Sequence, residues 1–74
     1  MNNKSNYFLS STDMSLIIID DDDVFRNRLI TAMKRKGYDA CGASSVSEAK
    51  KIVNINPPKY AVVDLRLNLS LIHI

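Results

Sequence analysis

At 74 residues the chain has room for one small folding unit, which excludes a multidomain reading. Its composition, 46% hydrophobic and 24% charged with two Gly and two Pro, is that of a globular protein and excludes a low-complexity or wholly disordered one. Ten Lys and Arg against eight Asp and Glu give +2, too weak a field to argue for a nucleic-acid or membrane partner; the consecutive placement of four acids, Asp20 to Asp23, says more.

Residues 1–14 are rich in Asn and Ser and follow neither a helical nor an alternating period, so they read as a loose leader. Its Tyr7-Phe8-Leu9 triplet is too short for a signal-peptide core, and no apolar run approaches the length of a membrane span. The single cysteine, Cys41, closes no internal disulfide, and with one histidine, His73, no Cys/His zinc set can be assembled. These features suit a cytoplasmic protein with no membrane partner. Cys41 itself reads as a buried or half-buried thiol without an activating neighbour.

Leu16-Ile17-Ile18-Ile19 is an unbroken apolar run with β-branched enrichment, the pattern of a strand buried on both faces of a parallel sheet. From Asp22 the spacing turns helical, with Phe25, Leu29, Ala32 and Met33 on one stripe and Arg26, Asn27 and Lys34 turned outward. Acids at the start and Lys34-Arg35-Lys36 at the end suit the helix dipole, and Gly37 stands where a left-handed C-terminal residue is wanted. Tyr38 to Ala43 reads as a weak second strand. Ser45-Val46-Ser47-Glu48 then matches a capping box opening a short helix that turns Val46, Ala49, Ile52 and Val53 inward and ends in Asn54 to Pro58. Tyr60 to Asp64 is a third strand, again continuously apolar and again ending on an aspartate.

Strand, helix, strand, helix, strand predicts an α/β fold with a doubly wound parallel sheet. Ligands of such sheets bind beyond the carboxyl ends of the strands, where the winding reverses. With the first and third strands adjacent and the second outside the first, order 2-1-3, Asp20, Asp21 and Asp64 converge there. Two carboxylates about 5 Å apart repel by roughly 3 kcal/mol at an effective dielectric of 20, so the trio needs a cation or a held proton. Mg2+ suits it, as a hard ion taking one or two carboxylates and leaving room for phosphate oxygens. Such a site can support phosphoryl transfer, with one aspartate as nucleophile. Asp64 stands alone after its strand and is the better nucleophile; Asp20 and Asp21 look like metal holders. Asp22 or Asp23 reads as a helix N-cap.

The run Leu16 to Asp22, the helix ending Lys36-Gly37-Tyr38 and, forty-three positions past Asp21, Val62-Val63-Asp64-Leu65-Arg66 resemble the receiver domain of two-component response regulators. The stretches Asp20 to Phe25 and Tyr60 to Leu67 are most similar to the redox-responsive ActR/RegA/PrrA regulators. The resemblance implies a partial flavodoxin-like (CheY-like) fold. Asp64 is then the phosphoacceptor, which makes the domain a signalling element rather than an enzyme. It also implies Asp20 and Asp21 holding Mg2+ with Asp64, and the backbone carbonyl of Arg66 as a further ligand. The implied partner is a sensor histidine kinase, and transcription is controlled through a downstream DNA-binding domain; a homodimer on phosphorylation is compatible with it. The match covers residues 15–67, the N-terminal part of a receiver. From Asn68 the pattern is lost, and Leu69 to Ile74 resembles a translated sequencing adaptor, so residues 68–74 are expected to be a foreign tail on a truncated chain.

Two other readings stand beside this one. Asp20 and Asp22, with Val24 following, resemble the motif of haloacid-dehalogenase-like phosphatases, although those usually insert a flap where a helix starts here. Alternatively the chain is a non-functional fragment: three strands and two helices bury only about 60% of the unfolded surface, which predicts marginal stability and aggregation. Lys34-Arg35-Lys36 reads as solvated surface at a helix end rather than a nucleic-acid patch.

Overall fold

Four consecutive apolar side chains alternate across a strand, so Leu16 to Ile19 can be buried only if both faces of their sheet are covered. The computed structural model, which describes residues 14–64, places them at the centre of such a sheet. Strand β1 (Ser15–Ile19) is followed by helix α1 (Asp23–Arg35), β2 (Asp39–Ala43), α2 (Val46–Ile55) and β3 (Tyr60–Val63). The sheet has the order β2-β1-β3, and β1 is parallel to both neighbours. The predicted α/β class, element order and 2-1-3 arrangement are therefore what is observed.

The two faces of β1 carry different cores. Ile17 and Ile19 pack with Cys41 and Ala43 of β2 and with Ala49 and Ile52 of α2, and Val53 and Val63 lie against this cluster. Leu16, Ile18 and Ala40 face the other way, under Leu29, Ile30 and Met33 of α1 and Tyr38. β2 is built of small residues, which lets the helices come close to the sheet.

Each helix is stopped and started by local chemistry. Asp22 caps α1, its Oδ1 accepting from the Phe25 amide at 2.9 Å. At the other end the Tyr38 amide donates to Met33 O and the Gly37 amide to Lys34 O, both at 3.0 Å, with Gly37 at φ 98°. That is the paired Schellman closure, and its glycine is where it was expected. Ser45 caps α2, its Oγ accepting from the Glu48 amide at 3.1 Å. The reciprocal half of the expected capping box is displaced by one residue: Glu48 Oε1 accepts from the amide of Ser44 at 2.6 Å and from its hydroxyl at 3.0 Å.

Two expectations about side-chain direction are corrected. Phe25 is 51% exposed rather than inward, because α1 lies over β1 and β2 and carries Phe25 toward the uncovered side of β3. Arg26, expected outward, lies half-buried against Gly42. The third strand is apolar yet exposed at Tyr60, Ala61 and Val62, since among the described residues only β1 pairs with it and the helices lie mainly over β1 and β2. β3 is tethered at its start by the Lys59 amide, which donates to Ser15 Oγ at 2.9 Å, and by an edge-to-face contact between Tyr38 and Tyr60 with ring centroids 5.8 Å apart. No described helix is long and apolar enough to cross a membrane. Residues 1–13 of the expected leader, Leu65 to Leu67 and the expected foreign tail lie outside the described residues.

Candidate functional site

The two parallel ladders continue one residue beyond the strands they join. The Asp20 amide donates to Ala43 O at 3.1 Å, and the Asp64 amide donates to Ile19 O at 2.9 Å, just past the Ile19 to Val63 pairing. Asp20 and Asp64 are thus fixed at the carboxyl ends of adjacent strands by the backbone itself. Asp21 follows at the start of the turn into α1. One carboxylate oxygen from each of Asp20, Asp21 and Asp64 lies within 4.8 Å of the others, the one such acidic trio among the described residues. The convergence predicted for these three residues is therefore present.

Their surroundings differ. Asp20 is 4% exposed, Asp64 half-buried and Asp21 exposed. Asp20 Oδ1 accepts from the Asp22 amide at 2.9 Å, which folds the chain back toward the helix start. At the 4.8 Å separation a pair of unit charges repels by about 3.5 kcal/mol at an effective dielectric of 20 and about 0.9 in bulk water. A divalent cation would relieve that repulsion. Oxygens on opposite sides of an octahedral Mg2+ stand about 4.2 Å apart and adjacent ones about 3.0 Å. The trio fits such an ion once its widest spacing contracts by about half an ångström, well within the reach of a carboxylate rotation.

Beside the trio lies a hollow of about 440 Å³, with Asp20 and Asp64 on its polar wall and Phe25, Leu29, Val62 and Val63 on its apolar ones. It leaves Asp64 open on that side. Asp22 is occupied in capping α1, and Asp23 pairs with Arg26 at 2.6 Å; neither belongs to the trio. The aspartate pair of the phosphatase reading is therefore split between the site and a cap. Arg66 lies outside the described residues. Cys41 is fully buried, and burial, then the charge of Asp39, pushes its thiol up to about 12, as befits an inert core residue.

Sequence reasoning missed Arg26. Its Nη1 donates to the main-chain oxygen of Asp20 at 2.7 Å while its Nη2 donates to Asp23 Oδ1. The i, i+3 spacing of Asp23 and Arg26 was visible in the sequence; the carbonyl partner was not.

Comparison with known proteins adds an independent line. The photosynthetic apparatus regulatory protein RegA of Cereibacter sphaeroides is 48% identical over 60 residues, covering 81% of this chain and 33% of that protein. RegA of Rhodobacter capsulatus is 46% identical over 56 residues, 76% of this chain and 30% of its own length. The acid tolerance regulatory protein ActR of Rhizobium meliloti is 45% identical over 60 residues, 81% of this chain and 31% of its own. The match thus spans about a third of the length of these relatives. No family model matches the chain. No solved structure matches it significantly.

Proposed function

Because the chain belongs to the response regulators that include RegA and ActR, we propose that it is receiver-domain sequence of a two-component system, with Asp64 as phosphoacceptor. The observation that supports this most is the meeting of Asp20, Asp21 and Asp64 within 4.8 Å at the carboxyl ends of β1 and β3. Asp64 is the trio member both half-exposed and set on the wall of the hollow, so it is the one that an incoming phosphoryl group reaches. Its carboxylate oxygen attacks the phosphorus of a phosphohistidine on a sensor kinase. A P–O bond forms as the P–N bond breaks, and the leaving imidazole nitrogen keeps the electron pair and takes up a proton from water.

Asp20 and Asp21 would hold Mg2+ together with Asp64, and the Arg66 carbonyl is a further ligand of the proposed set. Bound there, the ion supplies positive charge against the transferred group. The residues do the rest: Asp20, buried and held at its amide and carboxylate, presents a fixed oxygen, and Asp21 adds one at the solvent side. The domain acts as a phosphorylated switch rather than a turnover catalyst, and control of transcription through a DNA-binding domain belongs to the whole regulator.

The test is to incubate the protein with acetyl phosphate and Mg2+ and follow its intact mass. Gain of one phosphoryl group, removed by hydroxylamine and absent from Asp64→Asn, is the expected result. Unchanged labelling of Asp64→Asn, with steady turnover abolished in Asp20→Asn, would replace this reading by the phosphatase one.

A further inference from the structure

We infer that Arg26 is a positioning residue for the acidic site, clamping the main chain of Asp20 to the first turn of α1, and that Gly42 is bare so that the stem of Arg26 can cross β2. The inference deepens the function proposed above and rests on it. Arg26 has a side chain only 14% exposed, unusual for a residue in the first turns of a surface helix. Its two terminal nitrogens are committed to different partners, Nη1 to the Asp20 carbonyl at 2.7 Å and Nη2 to Asp23 Oδ1 at 2.6 Å.

A guanidinium beside a cation site is electrostatically unfavourable in general, since it competes with the ion for the same carboxylates. Here its hydrogen bonds go to the main-chain oxygen of Asp20 and to Asp23, not to the carboxylates of the trio, and Asp23 balances its charge. What Arg26 contributes is orientation. With it, Asp20 is held at three points: its amide by Ala43, its carboxylate by the Asp22 amide, and its carbonyl by Arg26. Partners that fix a metal-holding residue without touching the ion set how well it binds.

Gly42 supplies the second observation. It lies in the interior of strand β2, paired with Ile18 of the central strand, and a glycine within a strand weakens it unless something must approach closely. A Cβ there would stand 2.7 Å from Ile30 Cδ1 and 3.0 and 3.2 Å from Arg26 Cδ and Cγ. A side chain at this position therefore forces Ile30 aside and crowds the Arg26 stem, which must give by a few tenths of an ångström.

Calorimetric titration with Mg2+ of the wild type, Arg26→Lys, Arg26→Gln and Gly42→Ala tests this, together with amide hydrogen exchange of the metal-free proteins. Arg26→Gln and Gly42→Ala should bind Mg2+ about 10- to 100-fold more weakly than the wild type, the usual range for loss of an orienting partner. Arg26→Lys should recover part of the loss, because one ammonium reaches one acceptor but not both. The Asp22 amide should exchange faster in Arg26→Gln while the Ile17 and Ile18 amides keep their protection, which separates loosening of the site from general destabilisation. Wild-type affinity in Arg26→Gln and Gly42→Ala, or β1 protection lost in step with Asp22, overturns the inference alone. A wild type that takes up no Mg2+ overturns the proposed site and the inference with it.

Discussion

Asp64→Asn keeps the shape of the side chain and removes one of three clustered charges, so it should stabilise the protein while disabling it. The charge of Asp64 stands within 4.8 Å of those of Asp20 and Asp21, where each pairwise repulsion lies between about 0.9 kcal/mol in water and about 3.5 at a dielectric of 20. Asp20 is buried but Asp21 is exposed and Asp64 half-exposed, so solvent screens much of this, and a net gain of about 1 to 2 kcal/mol is expected. For a domain of this size that raises the thermal midpoint by roughly 5 to 15 °C in chelator. Mg2+ at a hundred times its Kd adds about 2.7 kcal/mol to the wild type, and less to a variant short of one ligand, so the order of stabilities should close or reverse. The separation is shorter than the ~10 Å screening length at 0.1 M salt, so the effect persists there and shrinks toward 1 M. Thermal unfolding followed by circular dichroism, with chelator and with Mg2+, reads both quantities. An Asp64→Asn protein no more stable than the wild type in chelator at low salt would refute the argument that the cluster is held together against repulsion.

Two further outcomes follow from the packing. The Cys41 thiol ionises at about 12 in the fold against 9.0 as its reference, so between those values the unfolded chain has lost a proton that the folded one keeps. Stability should therefore fall as pH rises from about 9 to 12, and denaturant midpoints across that range should decline less steeply in Cys41→Ala. Ser45→Ala removes the cap of α2 and should cost about 1 kcal/mol by urea denaturation, with the helix start retained because Glu48 still bonds Ser44.

The elements and their order were legible because the informative signals are local. The Ile17-Ile18-Ile19 run, the acids before α1, Gly37 after it and Ser45 before α2 each act within a few residues, and each lies where its chemistry places it. The acidic trio was legible for a different reason: a parallel βαβ order leaves few ways to arrange three strands, and two of them end on aspartate. What the sequence did not disclose depends on how α1 is rotated and shifted over the sheet. A helical wheel puts Phe25 on the apolar stripe and Arg26 beside it on the polar side. The fold reverses their burial, because the space under Arg26 is opened by Gly42, sixteen positions away, while Phe25 overhangs the exposed strand β3. Neither cause can be read from the helix itself. The shift of the Glu48 bond from Ser45 to Ser44 is of the same kind, a choice between adjacent amides that only the turn geometry decides.

The site is in the end a consequence of register. A one-residue slip of β3 along β1 would turn Asp64 to the opposite face of the sheet and leave Asp20 and Asp21 without their third carboxylate. For β1 and β2 that slip is opposed by burial, since Ile17 and Ile19 would exchange cores with Leu16 and Ile18. β3 has less such protection among the described residues: Val63 packs against a core, but its first three side chains are exposed. Its alignment rests instead on polar and aromatic ties at one end, Lys59 to Ser15 and Tyr60 to Tyr38, and on the Asp64 amide at the other. The strand that carries the proposed nucleophile is thus the one whose position depends least on the hydrophobic core. A change at Ser15 or Tyr38, more than 20 residues away in sequence, acts on the chemistry of Asp64 through that alignment.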